Sequence, residues 1–242
     1  MRGRPDYPAE VDRWLRTGLG LCAGKVVLDL GAGTGKFTPH LVSTAARVIA
    51  VEPIPEMLAR LTRSLPDVEA HQGTAEAIPL PDASVDAIVC AQSFHWFATR
   101  PALAEICRVL KPGGKLGLVW NMRDEGVAWV ASLADIIAPY EGDTPRYYKG
   151  DWRNVFPFPG FGPLQEEHFS NAHTGSPEQV IVDRIISTSF IAALPREEQD
   201  HVVARIRDLI AREPSLAGRS EVTLPYETAV FQCEKLETAV RA

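Results

Sequence analysis

Three groups of residues in this 242-residue chain have the types and spacing to do chemistry. The first is "LDLGAGTGKF", which places Gly31, Gly33 and Gly35 between a strand-like run and a helical one. Glycines at such a junction let the backbone turn sharply and approach a ligand with no Cβ in the way. The spacing is GxGxG; a dinucleotide fingerprint would want glycine at position 36, which is Lys36. Taken alone, the loop can also be a tight strand-to-helix turn. The second group is Glu52, at the end of the next strand-like run, where a carboxylate can accept both hydroxyls of a ribose. The third is "VDAIVCAQSFHWF", a buried strand that delivers His95 among Phe94, Trp96 and Phe97. Imidazole is the side chain best matched to taking a proton near neutral pH, and it can also orient a ligand by a hydrogen bond. A histidine among rings can instead be a core residue.

These residues need elements to hold them. Strand-like runs at residues 26–30, 47–51, 68–73, 85–92 and 115–121 alternate with helical patterns. Met57, Leu58, Leu61 and Leu65 share one helical face, as do Leu103, Ile106, Val109 and Leu110. "KPGG" is expected to stop the second helix and turn the chain. Alternating β and α with short connections predicts right-handed crossovers and a parallel sheet over residues 24–121. Ligands of such sheets bind outside the carboxyl ends of the strands, where all three groups fall. Beyond Asn121 the pattern changes. A helix is expected at 127–138, then an ordered loop rich in Pro, Gly and aromatics, a sixth strand at "QEEHF", two helices at 177–194 and 196–213, and a last strand at "EVTLPYETAVFQCEK". The helices interrupt a closing hairpin. The expected organisation is therefore one domain: an N-terminal cover segment at 1–23, a ligand-binding core at 24–121, and an acceptor-side cover at 122–242 that also completes the sheet.

Four blocks in order, "VLDLGAGTGKFT", "VIAVEPIPEML", "GTAEAIPLPDASVDAIVCAQSFHWF" and "LKPGGKLGLVW", span most of residues 24–121. In them the chain resembles the class I S-adenosylmethionine-dependent methyltransferases, in particular the small-molecule group with ubiquinone-pathway and trans-aconitate methyltransferases. The resemblance implies a Rossmann-like seven-stranded sheet, mostly parallel with an antiparallel last strand, and helices on both faces. It implies S-adenosylmethionine as cofactor and S-adenosylhomocysteine as product. It also implies roles residue by residue. Gly31, Ala32 and Gly33 would pass beside the methionine part, with Asp29 helping to hold its amino group. Glu52 would bind the ribose, and Pro53 to Met57 would flank the adenine. Thr74, Ala75 and Glu76 would lie along the adenine edge, and Gln92 near the sulfonium. The family commonly has Asp where this chain has Thr74, so a hydrogen bond from that side chain to the adenine amino group is not implied. "RPDYP" looks like the segment that folds over the cofactor in related enzymes, with Tyr7 the residue to pick from it.

Composition narrows the reaction class. A net charge of -6 with scattered Lys and Arg argues against a nucleic-acid partner. Cys22, Cys90, Cys107 and Cys233 form no ligand spacing, so neither a metal site nor a disulfide framework is expected. With no signal-peptide core and no long apolar run, the expectation is a cytoplasmic protein free of the membrane. A nucleotide-dependent dehydrogenase shares the sheet, loop and acid, but no tyrosine here is followed by Lys at the interval of the short-chain enzymes. A cofactor-binding protein without catalysis is the other alternative. The acceptor is expected to be a small molecule methylated on a carboxylate or hydroxyl. A carboxylate would call on cations such as Arg123, Arg146, Lys149, Arg153 or Arg184, and a hydroxyl on a base, for which His95 is the candidate.

Overall fold

The computed structural model describes residues 5–237; Arg4 of "RPDYP" lies outside the described residues. The elements follow in the order α1 (Ala9–Thr17), β1 (Val26–Leu30), α2 (Thr38–Ser43), β2 (Arg47–Glu52), α3 (Pro55–Ser64), β3 (Glu69–Gln72), β4 (Val85–Ala91) and α4 (Arg100–Val109). Then come β5 (Leu110–Arg123), α5 (Ala128–Ile137), β6 (Gln165–Gly175), α6 (Asp183–Ile186), α7 (Ser189–Ala192), α8 (Arg196–Arg212) and β7 (Val222–Glu234). Seven strands form one sheet in the order β3-β2-β1-β4-β5-β7-β6. β1, β2, β3, β4 and β5 run parallel. β5 and β7 run antiparallel: the Lys235 N–H, just past β7, donates to Gly114 O near the start of β5, and the Asp124 N–H, just past β5, donates to Pro225 O near the start of β7. The expected architecture is therefore the observed one.

The backbone divides into two compact units. The larger comprises Ala9–Trp120, Pro145–His168 and residues 229–237. Its central strands are apolar on both faces, and Val27, Leu28, Val85, Ile88 and Val89 are wholly buried, as a sheet covered by helices requires. Asp86 clamps the amino ends of the strands, accepting from Lys25, Lys111 and the Val26 N–H. Thr99 caps α4, its hydroxyl accepting from the Ala102 N–H. "KPGG" does end α4, but the strand begins at once at Leu110, with a register shift opposite Val85/Ala87 and Gly113 at φ +72°. The turn expected there is a bulge in a longer strand. The helix expected after the glycine loop is α2, whereas α1 and the single turn at Phe94–Trp96 were not legible as elements.

The smaller unit comprises residues 5–8, Asn121–Thr144 and Phe169–Thr228. Trp129, Val130 and Leu133 of α5, Val202 and Ile206 of α8, and Leu224 and Tyr226 of β7 share its apolar cluster. The helix expected across 177–194 is broken into a π-turn at Glu178–Val182, α6 and α7, with Thr188 extended between the last two. The cause is local: Ser187 donates its hydroxyl to the Arg184 carbonyl, competing with the helical ladder in a run of β-branched and hydroxyl residues. No helix among the described residues is long and apolar enough to cross a membrane.

Candidate active site

Strand register gathers the expected residues along one edge of the larger unit. Leu30 lies beside Val51 and Glu52 beside Gln72, so the loops after β1, β2 and β3 emerge together. Ala91 lies beside Val119, which brings Gln92 to the same edge. The Gly31 and Ala32 N–H groups both donate to the Val51 carbonyl and hold the glycine loop against β2.

The three glycines do different things. A Cβ at Gly31 would lie 2.7 Å from the Ser93 Cβ, so glycine there permits close packing. Gly35 likewise abuts Leu61 and Leu65. Gly33 has φ +60° and nothing within 4 Å of where a Cβ would stand, so its backbone borders open space. Its N–H donates to Glu52 Oε2 at 2.8 Å, while the Ile54 N–H donates to Oε1 at 3.0 Å. Glu52 is 4 % exposed, and each carboxylate oxygen keeps a lone pair for a further donor. Just after it, Pro53, Ile54 and Met57 are exposed, an apolar surface of the kind a flat ring covers.

Asp29 is buried and accepts from the Thr38 hydroxyl at 2.7 Å. Burial pushes its carboxyl up to about 7, with the hydroxyl opposing and the Glu52 charge adding. Beyond β3, Ala75 is buried, Thr74 is exposed and bridges Ala77 through the backbone, and Glu76 accepts from the Thr99 hydroxyl at 3.3 Å. Gln92 adopts φ +58°, an uncommon conformation for a residue with a Cβ, and its N–H donates to the Val119 carbonyl. Tyr7, half-buried, belongs to the smaller unit.

His95 sits on the single turn after β4. Its Nδ1 is 3.1 Å from Trp120 Nε1. An indole N–H can only donate, so Nδ1 accepts, and the ring's proton is on Nε2. Burial and the nearby Arg146 charge lower the His95 pKa to about 4. The imidazole is therefore neutral at physiological pH and presents an N–H to whatever approaches Nε2. Trp120 was not singled out in the sequence, although the pairing of β4 with β5 places it beside the residues that follow β4.

Phe94, Trp120, Tyr147, Trp152 and Phe231 contact one another ring to ring, and Trp152 is 2 % exposed. Arg153 spans Trp152 and Phe231 and pairs with Glu166 at 2.9 Å, a structural use of that cation. Trp96 and Tyr148 remain exposed. No cluster of His, Cys, Asp or Glu among the described residues could hold a metal ion.

The family described as a methyltransferase domain matches residues 28–118. An uncharacterized methyltransferase-like protein of Schizosaccharomyces pombe is 40% identical over 233 residues, 96% of this chain and 91% of its own length. A malonyl-[acyl-carrier protein] O-methyltransferase of Methylococcus capsulatus is 42% identical over 96 residues, 37% of this chain and 35% of its own. A ubiquinone/menaquinone biosynthesis C-methyltransferase of Rubrivivax gelatinosus is 42% identical over 96 residues, 38% of either chain. Among solved structures, a candidate type II methyltransferase from Anaeromyxobacter dehalogenans matches with TM-score 0.74 and 24% identity, over 97% of this chain and 99% of that one. A Haemonchus contortus phosphoethanolamine N-methyltransferase in complex with S-adenosyl-L-methionine matches with TM-score 0.53 and 16% identity, over 94% of this chain and 53% of that one. With the seven-stranded sheet and its glycine loop, these matches establish that the chain belongs to the class I S-adenosylmethionine-dependent methyltransferases.

Proposed function

We propose that the chain transfers a methyl group from S-adenosylmethionine to an oxygen of a small-molecule acceptor, a carboxylate in preference to a hydroxyl. The observation that carries the reading is Glu52, a buried carboxylate held by two backbone N–H groups beside the open space over Gly33. That carboxylate suits a ribose diol. Pro53, Ile54 and Met57 suit the face of an adenine, Thr74, Ala75 and Glu76 its edge, and Gly31 to Gly33 the methionine chain. Asp29 would serve the amino group, Gln92 the region of the sulfonium, and Tyr7 the closure of the N-terminal segment. The bound cofactor supplies a methyl group on a positively charged sulfur; the protein positions the acceptor and excludes water.

His95 decides between acceptors. A hydroxyl must lose its proton, and the nitrogen that could take it already accepts from Trp120. A carboxylate brings its own nucleophile: one oxygen forms the new bond to carbon, the carbon–sulfur bond breaks, and sulfur keeps the electron pair. For that reaction His95 is useful as a donor, its Nε2–H orienting the acceptor oxygen. The O-methyltransferase among the relatives is consistent with this choice. The net charge of -6 weighs against nucleic acid as the acceptor.

An acceptor screen with labelled cofactor, covering small carboxylates, phenols, quinol precursors and thiols, tests the reaction. Transfer to carboxylates is expected, with His95→Phe, which has no donor, lowering kcat/KM by about 10- to 100-fold, as loss of one orienting hydrogen bond would. Transfer only to phenols, or tight binding of a nicotinamide dinucleotide without S-adenosylhomocysteine binding, would overturn it.

A further inference from the structure

The smaller unit turns one face of its strands toward its own helices. Along β7, Val222, Leu224, Tyr226 and Thr228 are buried, while Thr223 and Glu227 are exposed. The Asp124 N–H donates to the Pro225 carbonyl and the Thr228 hydroxyl donates to Asn121 Oδ1, which sets the antiparallel register. Arg123 consequently stands directly across from Tyr226, in a pair whose side chains share a face. Asn171 of β6 donates to Asn121 Oδ1 at 2.9 Å, so it joins that face, and by alternation His173 does too.

The inward positions thus carry Asn121, Arg123, Asn171, His173, Tyr226 and Thr228, and no acid. Asp124 and Glu227 fall on the alternate positions. A face that points into an apolar cluster thereby carries polar side chains, with Asn121 Oδ1 accepting from both Asn171 and Thr228. The Tyr226 hydroxyl, in a residue 3 % exposed, has no hydrogen-bond partner. Arg184 Nε is also buried with none. Arg184 lies on α6 between Val182 and Ile185, both members of the cluster that contains Tyr226. Its Nη1 donates to the Thr188 hydroxyl at 3.2 Å, and no carboxylate among the described residues pairs with it. Buried donors left open by the protein itself are uncommon, and each calls for a partner.

We propose that this cluster is the docking site for a carboxylate of the methyl acceptor. Arg184 and the Tyr226 hydroxyl bind it, and the surrounding apolar side chains receive the hydrocarbon part of a small organic acid. The proposal rests on the methyltransferase reading above and names its substrate class.

The test is calorimetry on the full chain saturated with S-adenosylhomocysteine, titrated with glutarate, citrate and benzoate, and with neutral glutaramide as control. At least one carboxylate should bind and the amide should not. Arg184→Gln and Tyr226→Phe should each weaken carboxylate binding about 10-fold or more, since charge-assisted bonds are the stronger kind. Their S-adenosylhomocysteine affinity should not change. Without acceptor, Tyr226→Phe should melt about 2 to 6 °C higher, because it deletes a buried hydroxyl that has no partner; a structural hydroxyl predicts the opposite shift. Carboxylates binding both variants as tightly as the natural chain, no carboxylate binding the natural chain when S-adenosylhomocysteine does, or a lower melting temperature for Tyr226→Phe would each overturn the proposal. Failure of the natural chain to bind S-adenosylhomocysteine would remove the proposed function as well.

Discussion

Acidification should destabilise the fold through His95. The ring's pKa falls from 6.5 to about 4, chiefly through burial and then through the charge of Arg146. Between those values the unfolded chain holds a proton that the folded chain has released. The unfolded state therefore binds more protons, so the contribution is whole above pH 6.5 and is lost as pH drops toward 4. The gap corresponds to at most about 3 kcal/mol. The ring is only partly buried, and solvent screening brings the expected cost to on the order of 1 to 2 kcal/mol. For a chain of this size that is a melting-temperature change of about 2 to 8 °C. The variant to compare is His95→Gln, whose amide oxygen can still accept from the Trp120 indole and which cannot be protonated. Melting temperatures of both proteins between pH 7.5 and 4.5 should diverge as the pH falls, the variant losing less. Other titrating groups are common to the two proteins and cancel in the difference. A constant difference across that range, or a ring titration near pH 6.5 by NMR, would refute both the burial argument and the assignment of Nδ1 as an acceptor.

Asp29 should show the opposite slope. Its folded pKa is raised to about 7, so the folded chain holds a proton the unfolded chain has lost, and stability falls as pH rises from about 4 toward 7. Asp29→Asn should therefore gain stability over the natural chain at pH 8 by a few kcal/mol relative to pH 4, as read by denaturant titration, and a difference that does not vary with pH would contradict this. Glu52→Gln sets an amide N–H against a buried backbone N–H, which should cost about 1 to 3 kcal/mol of stability and weaken S-adenosylhomocysteine binding about 10- to 100-fold by calorimetry. Unchanged affinity in a folded variant would move the ribose elsewhere. Arg153→Ala removes a half-exposed ion pair and a stacking contact, so about 1 kcal/mol of stability should go while carboxylate binding stays; a loss of carboxylate binding would place the acceptor's anchor there instead.

The sequence by itself determined the sheet and the edge along which the loops after β1, β2 and β4 emerge. Runs such as Val85 to Ala91 are apolar at every position, which only a strand covered on both faces tolerates, and their alternation with helices leaves one handed way to connect them. Gly33 and Glu52 stood out by residue type and spacing, and the fold joins them, the Gly33 N–H donating to Glu52 Oε2. The smaller unit was less legible. Ser187 and Thr188 broke a helix whose apolar spacing read as continuous, since a hydroxyl's bond to a nearby carbonyl is invisible to periodicity. His95 could be a base, a donor or a core residue until Trp120, 25 residues on, was seen to give its indole N–H to Nδ1. Only tertiary structure could decide that, because a tautomer is set by the partner across space. The same holds for Arg184 and Tyr226. Their types and positions stand in the sequence, but that both donors lie buried with no acceptor depends on what the folded chain does not place beside them.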